Sequence, residues 1–262
     1  MKYVTFEGGF GRLDEDTVTV LADDPIHFLV AGGRAGASAT TPLSKIVLKA
    51  PIPAPGKVIC VGLNYRDHVV ESGAEVPENP VLFTKFANSV VGDGATVEIP
   101  SVTQAVDWEA ELGVIIGATG RRITADKALE YVAGYTCLND LSARDLQLRD
   151  GQWTRGKAID GFLPMGPVLV DTTDIPDPQS LTIRCTVNGE VMQEASTSSM
   201  IFSVAQLIED ISETMTLEPG DIIATGTPAG VGMAHDPPRY LRPGDVVVVE
   251  IEGIGKLTTF LR

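Results

Sequence analysis

Apolar and polar residues alternate in short runs broken by glycine and proline, a pattern that predicts many short strands and few helices. Residues 2–6 and 17–21 alternate in this way around Gly/Asp turns, and the small, polar residues 31–41 predict a loop. Pro51, Pro53 and Pro55 cannot join a ladder, because each lacks an N–H and restricts the residue before it. They mark the expected boundary between a small β-rich N-terminal domain, 1–55, and a larger domain, 56–262. In the larger part, residues 57–63, 81–86, 96–99, 108–116 and 132–138 predict strands, and 64–71 and 124–132 short helices. Ser142 and Asp145 resemble a capping pair that opens a helix running to about Arg149. Asn188-Gly189, between apolar runs 181–187 and 190–194, is a hairpin signal. Ser203 precedes Val204, Leu207, Ile208 and Ile211, a one-faced helical stripe expected to pack in the core. Pro219-Gly220 turns into a strand at 221–225, and residues 246–251 should pair with 256–261. Strands outnumber helices without regular βαβ alternation, so the predicted class is a β-rich α+β fold, not a Rossmann fold or TIM barrel.

Composition narrows the function. The chain has 262 residues, 44% of them hydrophobic, enough for a substantial core. Its net charge of −15 repels phosphate backbones and anionic membrane surfaces, so neither nucleic acid nor a membrane is an expected partner. An anionic substrate would need a local positive device. Three scattered cysteines, Cys60, Cys137 and Cys185, lie in apolar stretches and fit buried thiols in a reducing compartment. No N-terminal apolar leader pattern is present, and no apolar run approaches the roughly 20 residues of a membrane span, so a cytoplasmic location is expected.

Four features carry candidate chemistry. Glu109-Ala110-Glu111 lies in a predicted strand, where period two sends both carboxylates to one face. Like charges that close repel unless a cation lies between them, and hard oxygen donors favour Mg²⁺, Mn²⁺ or Ca²⁺ over zinc. A solvated pair on an edge strand is the plainer alternative. Asp107 continues the same face, where exposure alone would account for it. Asp140, between an apolar strand and a predicted helix, suits a third oxygen ligand. His68 and Glu71 are i,i+3 neighbours on the 64–71 helix, so the carboxylate would orient the imidazole as a base; a surface pair is the alternative. Residues 151–157 match G-x-x-x-x-G-K, yet Ala158 stands where a phosphate-binding loop needs Ser or Thr and a helix precedes it, so nucleotide binding is rejected. The glycine-rich 225–232 segment offers backbone N–H groups that would wrap an oxyanion, or would simply make a tight turn.

Taken in order, GLNYRDHVVES, PVLFTKF, DWEAELGVIIG, GYTCLNDLSARDLQ, RGKAID, TSSMIFS and GDIIATGTPAGVG resemble the fumarylacetoacetate hydrolase family over roughly residues 57–255. The resemblance implies a mixed β-sandwich or β-roll catalytic domain, a homodimer, and one Mg²⁺ or Mn²⁺ held by Glu109, Glu111 and Asp140, with Ca²⁺ an occupant in crystals. Larger relatives add a carboxylate seven residues before the histidine, where this chain has Val61. It further implies His68, Glu71 and Lys157 as catalytic residues and Arg144, Gln147 and Thr227 as substrate contacts. The implied activity is C–C bond hydrolysis of a 2,4-dioxo acid of the acylpyruvate or fumarylpyruvate type. Oxaloacetate decarboxylation or a related lyase or tautomerase reaction is the alternative on the same site, and a non-catalytic dimeric homologue the alternative in another class.

Overall fold

Two β-sheets absorb most of the alternating segments in the computed structural model, which describes residues 1–33, 36 and 39–262. The larger sheet runs, in spatial order, through Ala39–Pro42, Thr17–Ala22, Gly9–Asp14, Lys2–Phe6, Leu163–Asp171, Val132–Asn139, Ala110–Ile116, Ile222–Ala224, Val58–Gly62 and Val81–Lys85. The smaller sheet orders Glu190–Ser196, Thr182–Val187, Val246–Ile251, Gly255–Leu261 and Ala95–Val97. Most neighbours are antiparallel, but Ile222–Ala224 runs parallel to Val58–Gly62, so the sheet is mixed. Lys2–Phe6 pairs with Leu163–Asp171, which carries the N-terminal strands into the same sheet.

Period two then sorts the core. Along Ala110–Ile116, Ala110, Leu112, Val114 and Ile116 pack with Ile183, Cys185, Val247 and Val249 of the smaller sheet. Ile115, on the opposite face, packs with Phe10, Leu138, Leu163 and Ile222. Each such fully buried aliphatic side chain contributes about 1.5–3 kcal/mol through removal from water. Glu111 shares the face of Ile115 and lies nearer the strand's start, so a carboxylate sits at the edge of an otherwise apolar layer.

Most predicted elements form. Asn188 and Gly189 both take positive φ, 52° and 82°, the backbone that a tight hairpin turn between right-twisted strands requires. Ser203 caps the helix Val204–Thr214 in a full capping box with Gln206, and Val204, Leu207, Ile208 and Ile211 are buried as the stripe predicts. Four expectations change. The predicted loop 31–41 includes a strand, Ala39–Pro42, where threonines pair with Thr17–Ala22; residues 34, 35, 37 and 38 of that prediction lie outside the described residues. The short helix at 124–132 is a 3₁₀ helix, Ala125–Tyr131. Gly9–Asp14 is a strand that the glycines obscured. Ser142 and Asp145 do not form a capping pair: Ser142 is in a two-residue strand and bonds the Asp140 carbonyl, while Asp145 accepts from Thr103 Oγ1 and Gln104 N. The helix is correspondingly short, Arg144–Gln147. Among the described residues no helix is long and apolar enough to cross a membrane.

Candidate metal centre and acid-base site

Strand register assembles the acidic cluster. Ala110 pairs with Asn139, and Asp140 N donates to Glu109 O at 2.8 Å, so the antiparallel ladder sets Glu109 beside Asp140. The ladder starts at Ala110, leaving Glu109 just outside the strand, yet the alternation still brings Glu109 and Glu111 to one place. One oxygen from each of Glu109, Glu111 and Asp140 lies within 4.8 Å of the others, and all three residues are buried. The plainer reading of Glu109 and Glu111 as a solvated edge pair therefore fails. Cys60, Cys137 and Cys185 are free and buried.

Three cations stand against these carboxylates. Lys157 Nζ bridges Glu109 Oε2 at 2.6 Å and Asp140 Oδ2 at 2.8 Å. Arg144 reaches Glu109 Oε1 through Nη1 at 2.7 Å and Asp107 Oδ2 through Nε at 2.8 Å. Lys85 Nζ lies 2.7 Å from Asp140 Oδ1 and donates to the carbonyls of Leu141 and Phe162, both at 2.9 Å, and of Lys157. Burial works to raise the Glu109 carboxyl, but Lys157 and Arg144 outweigh it and bring its pKa down to about 2. Glu111 makes no ion pair among the described residues: burial, then the charges of Asp140 and Glu109, push its carboxyl well above the ordinary range against the smaller opposing pull of Lys157. Burial lowers Lys85, while for Lys157 the two carboxylates outweigh burial and raise it.

The cluster thus holds four buried carboxylates, counting Asp107, against three buried cations. One negative charge is left over, and Glu111 bears it poorly. A divalent ion answers that excess: the donor set is three hard carboxylate oxygens, and Glu111 is the one without an ion pair among the described residues. With such an ion the cluster becomes net positive, which suits an anionic ligand despite the acidic surface.

Around this cluster lies a cavity of 230 Å³. Of the residues the sequence singles out, His68, Glu109, Glu111, Arg144, Gln147, Lys157 and Thr227 line it. Asp140 is joined to it through Lys157, and Glu71 sits behind His68. The helix Arg66–Ser72 presents His68, whose Nδ1 is 2.7 Å from Glu71 Oε1. With Nδ1–H donating to Glu71 Oε1, Nε2 keeps its lone pair, so the ring can accept a proton there. Arg144 Nη1 also donates to Gln147 Oε1 at 3.0 Å, and its Nη2 is a buried donor with no partner among the described residues. Thr227 lines the cavity, but its hydroxyl donates to Ala110 O at 2.9 Å and accepts from Gln193 Nε2 at 2.8 Å.

The glycine-rich loop spends its donors on the protein's own carboxylates. Gly226 N bonds Glu111 Oε2, Gly230 N bonds Glu71 Oε2, and Gly232 N and Met233 N bond Asp107. Asp107 is accordingly not an exposed continuation of the Glu109 face: it is fully buried and ties the loop to Arg144. Gly156 of the G-x-x-x-x-G-K match has a packing reason, since a Cβ there would lie 2.5 Å from Ala143 O and Gln147 N. Sequence reasoning missed Lys85 and Gln193 and misjudged Asp107 as exposed. A lysine within the apolar strand Val81–Lys85 is the one usable signal among them.

A model of the family described as Fumarylacetoacetate (FAA) hydrolase C-terminal matches residues 57–262. The oxaloacetate tautomerase YisK of Bacillus subtilis is 50% identical over 220 residues, 82% of this chain and 73% of that protein. The mitochondrial oxaloacetate tautomerase Fahd2a of Rattus norvegicus is 48% identical over 215 residues, 82% of this chain and 69% of its own length. The solved fumarylacetoacetate hydrolase of psychrophilic Exiguobacterium antarcticum shares the fold with a TM-score of 0.91 at 41% identity, covering 100% of this chain and 99% of that one. The motif order, the β-rich sheets and the buried Glu109–Glu111–Asp140 cluster thus converge, and the chain belongs to the fumarylacetoacetate hydrolase family of enzymes.

Proposed function

We propose that the protein interconverts the enol and keto forms of a small 2-oxo dicarboxylic acid of the oxaloacetate type. One observation carries this reading: the His68 imidazole, the Lys157 ammonium and Arg144, whose Nη2 has no partner among the described residues, share a single 230 Å³ cavity. That is a proton acceptor beside two cations, with space for little more than a compact anion. The names of two relatives about half identical to this chain support the same chemistry. Glu109, Glu111 and Asp140 would hold Mg²⁺ or Mn²⁺, which when bound supplies Lewis acidity toward the 2-oxo acid oxygens.

The protein's own groups account for the proton path. Arg144, held by Asp107 and Glu109, offers its Nη2 N–H to a substrate carboxylate. Lys157 faces the negative charge that builds on the C2 oxygen. His68 Nε2 takes the proton from C3; the C–H electrons form the C2=C3 bond, the carbonyl electrons move to oxygen, and the imidazolium then returns that proton to the oxygen, leaving the ring neutral. The reverse sequence returns the keto form, and no carbon–carbon bond breaks. Glu71 fixes the ring's tautomer and stabilises the imidazolium.

Hydrolysis of an acylpyruvate is the second reading, favoured by the same His68–Glu71 pair, which would equally take a proton from water, and by the name of the Exiguobacterium relative. Oxaloacetate enol decay followed by ultraviolet absorbance, beside acetylpyruvate cleavage followed as released pyruvate, separates the two. The expected outcome is rapid Mg²⁺-dependent tautomerisation, abolished by EDTA and reduced about 10²–10⁴-fold in His68→Ala. Faster cleavage of acetylpyruvate than tautomerisation of oxaloacetate would reverse the assignment. The reading includes a homodimer and a reducing, cytoplasmic setting for the three free thiols.

A further inference from the structure

Two spaces share one wall. The catalytic cavity of 230 Å³ and a larger surface groove of 530 Å³ are both lined by Phe83 and Trp153. The two rings meet edge to face, with centroids 5.2 Å apart and planes at 66°. Phe83 is fixed on the catalytic side, its ring centroid 4.9 Å from Lys157 Nζ. Trp153 is seated on Gly62: a Cβ there would lie 2.5 Å from Trp153 Cζ3 and 2.8 Å from Cη2. The glycine at the end of Val58–Gly62 therefore gives the indole its place.

The spaces differ in chemistry. The cavity holds Arg144 and Lys157, so it takes the anionic end of a ligand. The groove is lined by Ile59, Leu82, Phe86 and Met215. Its Lys57 is already 2.8 Å from Asp221 and 3.6 Å from Glu218, so it offers no unengaged charge to a second carboxylate. An apolar tail would suit the groove, and between cavity and groove it would meet the two rings that line both, Phe83 and Trp153.

We infer that Trp153 limits this enzyme to compact 2-oxo acids, and that shortening it joins cavity to groove and admits 2-oxo acids bearing an aryl or long alkyl tail. The inference rests on the 2-oxo acid reading proposed above and names the residue that sets its substrate size. It also places size selection at the N-terminal end of the helix Thr154–Lys157.

Calorimetric titration of the Mg²⁺-saturated protein tests it, with oxalate as the compact probe and benzoylpyruvate as the aryl probe, on wild type, Trp153→Ala and Trp153→Leu. Leucine keeps an apolar side chain against Phe83 and guards against loss of folding, and a cooperative melt qualifies each variant. The benzoylpyruvate-to-oxalate affinity ratio should rise at least about tenfold in both variants, the scale on which apolar pockets discriminate size. A ratio that stays near the wild-type value in folded variants that still bind oxalate overturns the role of Trp153. Wild type that neither binds oxalate nor turns over oxaloacetate instead overturns the 2-oxo acid reading on which the inference stands.

Discussion

Asp145 shows how a residue outside the reacting set holds one inside it. Its carboxylate accepts from Thr103 Oγ1 at 2.5 Å, Gln104 N at 3.0 Å and Leu146 N at 2.9 Å, and the neighbouring Ala105 carbonyl accepts from Arg144 N. Burial tends to raise its pKa, but these donors outweigh it and hold the carboxyl below its ordinary value. A depressed folded-state pKa stabilises above the unfolded value of about 3.9 and loses that contribution as pH falls through the folded one. Asp145→Asn should therefore melt below wild type at neutral pH, with the gap closing in acid; melting curves over a pH series check this, and a gap that persists unchanged below both values would refute it. At this scale the sequence is only partly legible. Glu109 and Glu111 announce themselves by spacing. Lys85 and Asp107 do not, because nothing local says that a strand lysine will meet Asp140 or that Asp107 will turn from its neighbours toward Arg144.

At the element scale, local signals succeed where the partner lies within a few residues. Ser203 and Gln206 are three apart, and the capping box forms as read. Replacing the Ser203 hydroxyl leaves the Gln206 N–H without its acceptor, so Ser203→Ala should cost about 1 kcal/mol in urea denaturation without changing the m-value. Ser142 and Asp145 have the same spacing and fail, because better partners arrive from elsewhere: Thr103 and Gln104 take Asp145, and strand pairing with Val106–Asp107 takes Ser142. The helix Arg66–Ser72 depends on both kinds of contact. His68–Glu71 is internal to it, whereas Glu71–Gly230 joins it to a loop far along the chain.

For the whole molecule, a divalent ion held by the buried cluster would couple its binding to folding. Four carboxylates and three cations converge from the strands Ala110–Ile116 and Val81–Lys85, the helices Arg144–Gln147 and Thr154–Lys157, and the segments beside them, and none of this convergence exists in the unfolded chain. A ligand present at a hundred times its dissociation constant stabilises the native state by about 2.7 kcal/mol. Mg²⁺ or Mn²⁺ should thus raise the melting temperature of chelator-stripped protein by several degrees in scanning calorimetry. Glu109→Gln with Glu111→Gln should remove that shift; an undiminished shift in the double variant would place the ion elsewhere.

Sequence alone determined the class of elements, the common face of Glu109 and Glu111, the His68–Glu71 spacing and the ordered motifs that mark the family, because these follow from backbone periodicity and from neighbours a few residues apart. Tertiary structure decided that Ala110 pairs with Asn139 and so brings Asp140 to Glu109, that Lys85 and Gln193 join the site, that the glycine-rich loop serves the protein's own carboxylates, and that Phe83 and Trp153 line both cavity and groove. Those are contacts between segments distant in sequence, chosen by strand register and by the need to neutralise each buried charge, and no local spacing encodes either.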